Sequence, residues 1–299
     1  MSANTKNALM IAGMVISWSI YYAVSKVVVG ATGSAFLAGF LLRAAALVFL
    51  TLQLAADKNL KEIFRQGKTA HILLLIGVFG FLLDMFANLG YAKGSLSTGT
   101  ALLKTDVLMV NLASVIIYKK KLYLSDWIGT FIMLFGVLLV LGISFGSIKF
   151  NITDLFFILS AVCVSANAFI IKSAQEKYGA STDMISYYNN FTVLVLFCIA
   201  SAVLGDFEAL KTVNIPYFWP LVILGGLGQT GIYFFYYRNL KIHEVWQVKL
   251  YLLLMPVVSL FIGIFFLGEE MTPLKIAGIA TVLLGASVIV LRDRINKNS

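Results

Sequence analysis

Asp84, Lys104 and Asp106 stand inside apolar stretches of a chain that is 60% hydrophobic and only 12% charged. Asp84 precedes a short turn by about ten residues, and the other two follow it by about ten, so two membrane helices joined there would bring all three to one depth. An ionisable group at that depth is costly to insert and faces a water-filled cavity or a partner. Three together imply a polar pathway through the bilayer, and hence a transporter. At about 100° per residue, Asp106 points roughly 200° away from Lys104. Asp84 is therefore expected to pair with one of them and not both. With Lys104 it would make a neutral lock that fixes helix register; with Asp106 it would make a cation or proton site. Asp84, Asp106 and Glu244 are the candidate proton carriers.

Helical spacing gathers the other polar residues into stripes. Trp18 and Tyr22 share a face with Ser25, Asp84 shares one with Asn88, and Lys104 shares one with Asn111. Further along, Ser160 and Asn167, then Gln229 and Tyr233, then Glu244, Gln247 and Tyr251, fall on single faces. The expected substrate-binding set is thus Trp18, Tyr22, Asp84, Asn88, Lys104, Asn167, Gln229, Tyr233, Gln247 and Tyr251. Aromatic faces attract desolvated cations by up to ~2 kcal/mol each and also stack on flat organic molecules. Trp18 and Tyr233 lie too deep in their spans to belong to an interfacial belt, which explains many of the other tyrosines. Lys249 lies near a cytoplasmic helix end, where its ammonium could snorkel to the interface. Arg43 mirrors Trp18 across the first hairpin and is expected to pack or pair rather than meet substrate.

The elements that must position these residues are membrane spans. Mean hydropathy is +0.91, and apolar runs of about twenty residues recur along the whole chain. Ten spans are expected, at about 7–29, 33–54, 70–92, 97–118, 125–145, 152–172, 182–205, 217–238, 243–267 and 273–291. The net charge of +9 reflects topology rather than nucleic-acid binding. With the N-terminus in the cytoplasm, fifteen Lys and Arg from Lys6 to Lys297 fall inside, against Lys93, Lys149 and Lys211 outside. That bias puts both termini in the cytoplasm, with the chain in the cell membrane. Lys6 before an apolar run resembles the start of a signal peptide, but no small-residue cleavage site follows and the run reads as the first span. Cys163 and Cys198 sit in apolar segments and suggest neither a disulfide nor a metal site, and no cofactor is expected.

The halves resemble one another. Gly129 and Gly136 match Gly278 and Gly285, Gly80 and Tyr91 match Gly226 and Tyr237, and Lys26 matches Lys172, all at offsets of 146–149 residues. This predicts a duplication, with five-helix repeats at 1–148 and 149–299. Five is an odd number, so the second repeat is inverted, as in secondary transporters with a midplane substrate site. The fold class is an all-α polytopic membrane protein of ten helices, in two inverted repeats around a central cavity. A Gly142-x-x-x-Gly146 spacing would permit a homodimer.

Trp18-Ser-Ile-Tyr-Tyr-Ala-Val-Ser-Lys26, Arg43, Tyr236-Tyr237-Arg238-Asn239-Leu240-Lys241, Leu254-Met255-Pro256, Gly268-Glu269 and Gly278 together resemble the EamA family of the drug/metabolite transporter superfamily. The resemblance covers all ten spans. It implies a basket in which spans one, three, four, six, eight and nine line the cavity while five and ten form an outer scaffold. The first half departs from the pattern, with Val107 where the equivalent of Pro256 would stand and Lys120 in place of the equivalent of Glu269.

The expected function is secondary transport of a small organic metabolite, an amino acid or an organic cation, by alternating access. Export is the direction the resemblance favours. No glycine-rich phosphate loop ending in Gly-Lys-Ser/Thr is present, which argues against an ATP-driven pump. An intramembrane lipid-modifying enzyme is the alternative, but His71 and His243 lie at span ends without a catalytic constellation. A receptor or scaffold that does not transport would call for longer soluble loops than the fifteen or so residues found here.

Overall fold

The computed structural model describes residues 3–64, 69–116, 119, 123–140, 151–270 and 272–298. Arg65, Lys68, Lys120, Lys149 and the Gly142-x-x-x-Gly146 spacing lie outside these, as do the side chains of Arg292, Arg294 and Lys297. Twelve α-helices and no strand occur among the described residues: α1 (Ala3–Thr32), α2 (Ala35–Ala56), α3 (Ala70–Tyr91), α4 (Leu96–Leu103), α5 (Asp106–Ile116), α6 (Leu124–Val140), α7 (Ile152–Glu176), α8 (Thr182–Leu204), α9 (Phe218–Ile242), α10 (Val245–Tyr251), α11 (Met255–Leu267) and α12 (Pro273–Asn298). Short turns let consecutive spans run back on each other, and serines start several of them. Ser34, Ser95 and Ser181 accept from the backbone N–H three residues on, at 3.0, 3.1 and 3.2 Å, which satisfies an otherwise orphaned donor.

Taking α4–α5 as one span and α10–α11 as another, eight spans are long and apolar enough to cross a membrane, and α6 and α12 hold shorter apolar stretches. Large side chains are bare on the outer faces, among them Ile199 and Val203 of α8 and Phe261, Phe265 and Phe266 of α11. A soluble protein would hide such a belt, whereas lipid covers it at no cost.

Spans four and nine are broken, and at corresponding places. In span nine the helix gives way to a 3₁₀ turn at Leu252–Leu254, because Pro256 has no N–H to donate and its ring clashes with the carbonyl four residues back. In span four Val107 occupies that position, yet the helix still breaks after Leu103. Lys104, Thr105, Val107 and Leu108 bond to carbonyls three residues back, at 3.0 to 3.2 Å, and the Thr105 hydroxyl donates to the Leu102 carbonyl at 2.8 Å. The break therefore survives without the proline.

Packing pairs the two halves across one another. α1 lies along α9 as α3 lies along α7, while α2 meets α8, α4 meets α11 and α6 meets α12. Exchanging the halves turns each of these pairs into another or into itself, except that α4–α11 becomes α5–α10, which are also in contact. The repeated glycines make the α6–α12 contact: a Cβ on Gly136 would stand 2.7 Å from the Gly278 carbonyl oxygen, and one on Gly285 would stand 2.6 Å from that of Gly129. Backbone on both sides leaves no side chain to yield.

Gly285→Ala is expected to lower the thermal stability of the detergent-solubilised protein by about 1–3 kcal/mol, the usual cost of overpacking, despite alanine's better helix propensity. An unchanged melting temperature would mean that α6 and α12 are not in close contact.

Candidate functional site

An ion pair occupies the middle of the bundle. Arg43 of α2 and Asp84 of α3 are 3% and 1% exposed, with Nη2 to Oδ2 at 2.5 Å. Nε of Arg43 donates to the same oxygen at 2.9 Å, and the Tyr21 hydroxyl donates to it at 2.5 Å. Nη1 reaches the Tyr233 hydroxyl, and the Tyr21 and Tyr233 rings flank the guanidinium at 5.7 and 5.6 Å. Asn190 of α8 donates to the Arg43 carbonyl at 3.0 Å. Oδ1 of Asp84 has no hydrogen-bond partner.

Asp84 thus pairs with neither Lys104 nor Asp106, which corrects the expectation drawn from their shared depth. The physical reason is that an arginine at mid-depth needs a carboxylate, and the α2 side of α3 supplies the nearest one. The position of Arg43 opposite Trp18 carried that signal. Arg43 lies on the preceding span, outside the depth argument across the turn after α3.

Asp106, the first residue of α5, pairs with Lys249 of α10 at 2.8 Å. Lys249 is 0% exposed, so it does not snorkel to the interface; a carboxylate at the break of the opposite half holds it inside. The Tyr236 ring lies 5.6 Å from its ammonium, and the Ser165 hydroxyl donates to the Asp106 carbonyl at 3.2 Å. Lys104 is buried too, but lines a separate small void with Thr130, Met133, Leu134, Leu253 and Val282. That void lies on the α6–α12 side of span four.

The central cavity is bounded by Trp18, Arg43, Gly80, Asn167, Asn189, Gln229, Tyr233, Tyr236 and Tyr237, with apolar residues of α3, α7 and α9 between them. At about 30 Å³ it has room for a water or two and not for an organic molecule. The conformation is closed around its centre. Four buried polar atoms of its wall have no hydrogen-bond partner: the donor Trp18 Nε1, the acceptors Asn167 Oδ1 and Asn189 Oδ1, and the Tyr236 hydroxyl.

Of the expected binding set, Trp18, Asn167, Gln229 and Tyr233 come together on this cavity. Asp84 lies behind Arg43. Tyr22 stands behind Trp18, its ring tilted against those of Trp18, Tyr21 and Tyr91 at 5.3 to 5.6 Å. Asn88 accepts from Ser25 at 2.5 Å and donates to the Ala35 carbonyl at 3.0 Å, tying α1, α2 and α3 together. Glu244 is exposed at the N-cap of α10 and forms a capping box with Gln247, while the Tyr251 ring packs against His243 at 5.8 Å. Arg43, Asn189, Tyr236 and Tyr237 line the cavity although they were not in the set. The lining therefore includes spans two and seven, which the family resemblance assigns elsewhere, and spans four and nine do not reach it in this conformation.

At one end of the basket Glu269, in the turn after α11, accepts from Lys26 at 2.8 Å. It also accepts from the Leu96 N–H, the Ser97 N–H at 3.1 Å and the Ser97 hydroxyl at 2.6 Å. One carboxylate thus caps α4 and latches α1 to it. Burial opposes its ionisation, but Lys26, Ser97 and the Leu96 N–H together hold it below the usual carboxylate range. At the other end Lys172 donates to the Leu240 and His243 carbonyls at 2.8 and 3.0 Å, and so caps the last turn of α9.

A lipid-facing bundle with two broken spans, two buried ion pairs and a central polar cavity has the build of a multi-pass membrane transporter. The chain belongs to the EamA-like transporter family, whose model matches residues 5–142 and 151–291, and through it to the drug/metabolite transporter superfamily. It is similar to an uncharacterized transporter of Archaeoglobus fulgidus, at 26% identity over 221 residues, 72% of this chain and 75% of that protein. It is also similar to the GDP-fucose transporter 1 of Mus musculus, at 34% identity over 76 residues, which are 24% of this chain and 21% of that transporter. A solved crystal structure, described only as that of a protein, superposes with a TM-score of 0.67 over 95% of this chain and 98% of its own. At 16% identity that likeness shows the fold alone.

Asp84→Asn is expected to destabilise the protein by about 3–5 kcal/mol, because it leaves the guanidinium buried without its carboxylate. Adding Arg43→Gln to the same chain should recover part of the loss in a thermal melt. If the double variant is no more stable than Asp84→Asn, the two residues do not act as a pair.

The latch has a pH signature. Because Glu269 is held below its unfolded range, near 4.3, its contribution is complete above that pH and is lost as pH falls through the folded value. The melting-temperature gap between the parent and Glu269→Gln should be present at pH 7 and close below about pH 4. A gap that is constant over this range would remove the ionised latch.

Proposed function

We propose that the protein is a secondary transporter that exports a small organic metabolite, an amino acid or an organic cation, across the cytoplasmic membrane by alternating access. The observation that carries this reading is the central cavity, whose aromatic wall presents unpartnered polar atoms from both halves of the chain. The indole N–H of Trp18 suits an acceptor such as a carboxylate oxygen, and the carbonyl oxygens of Asn167 and Asn189 suit ammonium or N–H donors. Tyr233, Tyr236 and Tyr237 offer faces to a cation or a flat ring.

The halves are read as inverted repeats, 1–148 and 149–299, with both termini in the cytoplasm on the strength of the Lys and Arg distribution. In that orientation the Lys26–Glu269 latch closes the outer end and the Lys172 cap closes the inner end. Releasing one while holding the other would expose the cavity to a single side, which alternating access requires. Spans four and nine, already broken, are the elements that can bend.

Counterflow into liposomes containing the purified protein tests transport. Labelled aromatic amino acids and quaternary ammonium compounds should exchange against the same unlabelled compound, and an enzyme or receptor would support no such exchange. A ligand at 100 times its dissociation constant should stabilise the protein by about 2.7 kcal/mol. Trp18→Ala is expected to reduce that shift while leaving expression and topology intact. Binding unchanged in this variant would remove Trp18 from the site.

A further inference from the structure

The charges at mid-depth do not cancel. Arg43 is answered by Asp84 and Lys249 by Asp106, while buried Asp126 caps the start of α6 by accepting from the Tyr123 N–H at 2.8 Å. Lys104 is left over: it is 6% exposed, and its ammonium makes no hydrogen bond or ion pair among the described residues. The charged groups that act on it are Asp106 and Lys249, so two lysines share one carboxylate. From the other packed elements it meets Val107 and Leu108 of α5, Thr130, Met133 and Leu134 of α6, Leu253 at the break of span nine and Val282 of α12. Neither span five nor span ten holds a further acidic residue at that depth.

We infer that Lys104 is a proton-binding site of this transporter, and that loading and unloading it biases the bend of span four. An uncompensated buried ammonium either releases its proton or draws in a counter-ion. The void beside Lys104 is about 10 Å³, room for a single water, and it opens on the α6–α12 side rather than on the central cavity. An organic anion does not fit there; a proton carried by water does. Proton release leaves a neutral amine and a protonated water, and uptake reverses it with no other bond made or broken.

Placement supplies the mechanical consequence. Lys104 and Thr105 form the break itself, between Leu103 at the end of α4 and Asp106 at the start of α5. Asp106 gives Oδ2 to Lys249 and leaves Oδ1 without a partner. A charged Lys104 attracts that carboxylate across the break and competes with Lys249 for it. A neutral Lys104 leaves Asp106 to Lys249 alone, whose Nζ lies 2.8 Å from Oδ2. The proton thus sets which half of the molecule holds the start of α5.

The inference rests on the alternating-access reading, and one experiment separates the two. The full chain, with Cys163→Ser and Cys198→Ser, carries spin labels at Lys93→Cys and Glu270→Cys, both exposed beside the Lys26–Glu269 latch. Distances are measured in phosphatidylethanolamine–phosphatidylglycerol vesicles from about pH 7 to 10, between ordinary histidine and lysine titration. Two distances are expected, with populations that change severalfold over this range. Lys104→Gln, which cannot be charged, should hold the high-pH ratio at every pH. Lys104→Arg, which does not deprotonate, should hold the low-pH ratio. Two populations that do not respond to pH, or a response that survives both substitutions, would overturn the proton site and spare alternation. A single distance throughout would overturn both.

Discussion

A charge placed in the middle of a membrane protein dictates what packs around it, because neither lipid nor a dry interior compensates it. Arg43 and Asp84 act in this way. Their pairing brings α2 against α3, and the tyrosines and asparagine that complete the contacts of the two residues come from α1, α8 and α9. Most of one side of the bundle is thereby organised around a single fork of nitrogen atoms. The cavity lies against this fork, so its wall is held by bonded groups on one side and by unbonded polar atoms on the other. Rigidity and vacancy sit within a few ångströms of each other.

The second buried pair works differently, because it joins elements that already depart from helical geometry. Asp106 begins α5 after one break, and Lys249 belongs to the short α10 that precedes the other. Each broken span thus holds its counterpart from the opposite half. Proline accounts for the break in span nine; three-residue turns and a threonine hydroxyl account for the one in span four. The two spans break at matching places through different local chemistry, and a sequence comparison centred on the proline would miss the break in span four.

Much of this architecture was legible in the chain. The apolar runs marked the spans, and the repeated glycines at 129, 136, 278 and 285 marked what became one helix contact. Trp18 and Tyr233 stood out because they are too deep for an interfacial belt, and both line the cavity. The partner of each charge was not legible. Helical periodicity tells which residues of one span share a face but not which neighbour that face meets, so it does not single out Arg43 on the previous span as the partner of Asp84. Lys249 lay near enough to a helix end to suggest an interfacial position, and only the location of Asp106 explains its burial. Asn189 and Tyr237 belong to spans whose contact with the cavity depends on three-dimensional packing, which single-span patterns do not encode.

Glu269 carries a consequence for how the molecule is made. The Arg43–Asp84 pair closes over 41 residues, within the first three spans to emerge during synthesis. The N-terminus of α4 waits for a carboxylate 173 residues downstream, and Asp106 waits for a lysine 143 residues downstream. A chain halted after its fifth span would hold the Arg43–Asp84 pair beside a helix capped by Ser95 alone and an unanswered acid. The first half is therefore incomplete on its own, and Glu269, near the end of the chain, completes a helix that entered long before it.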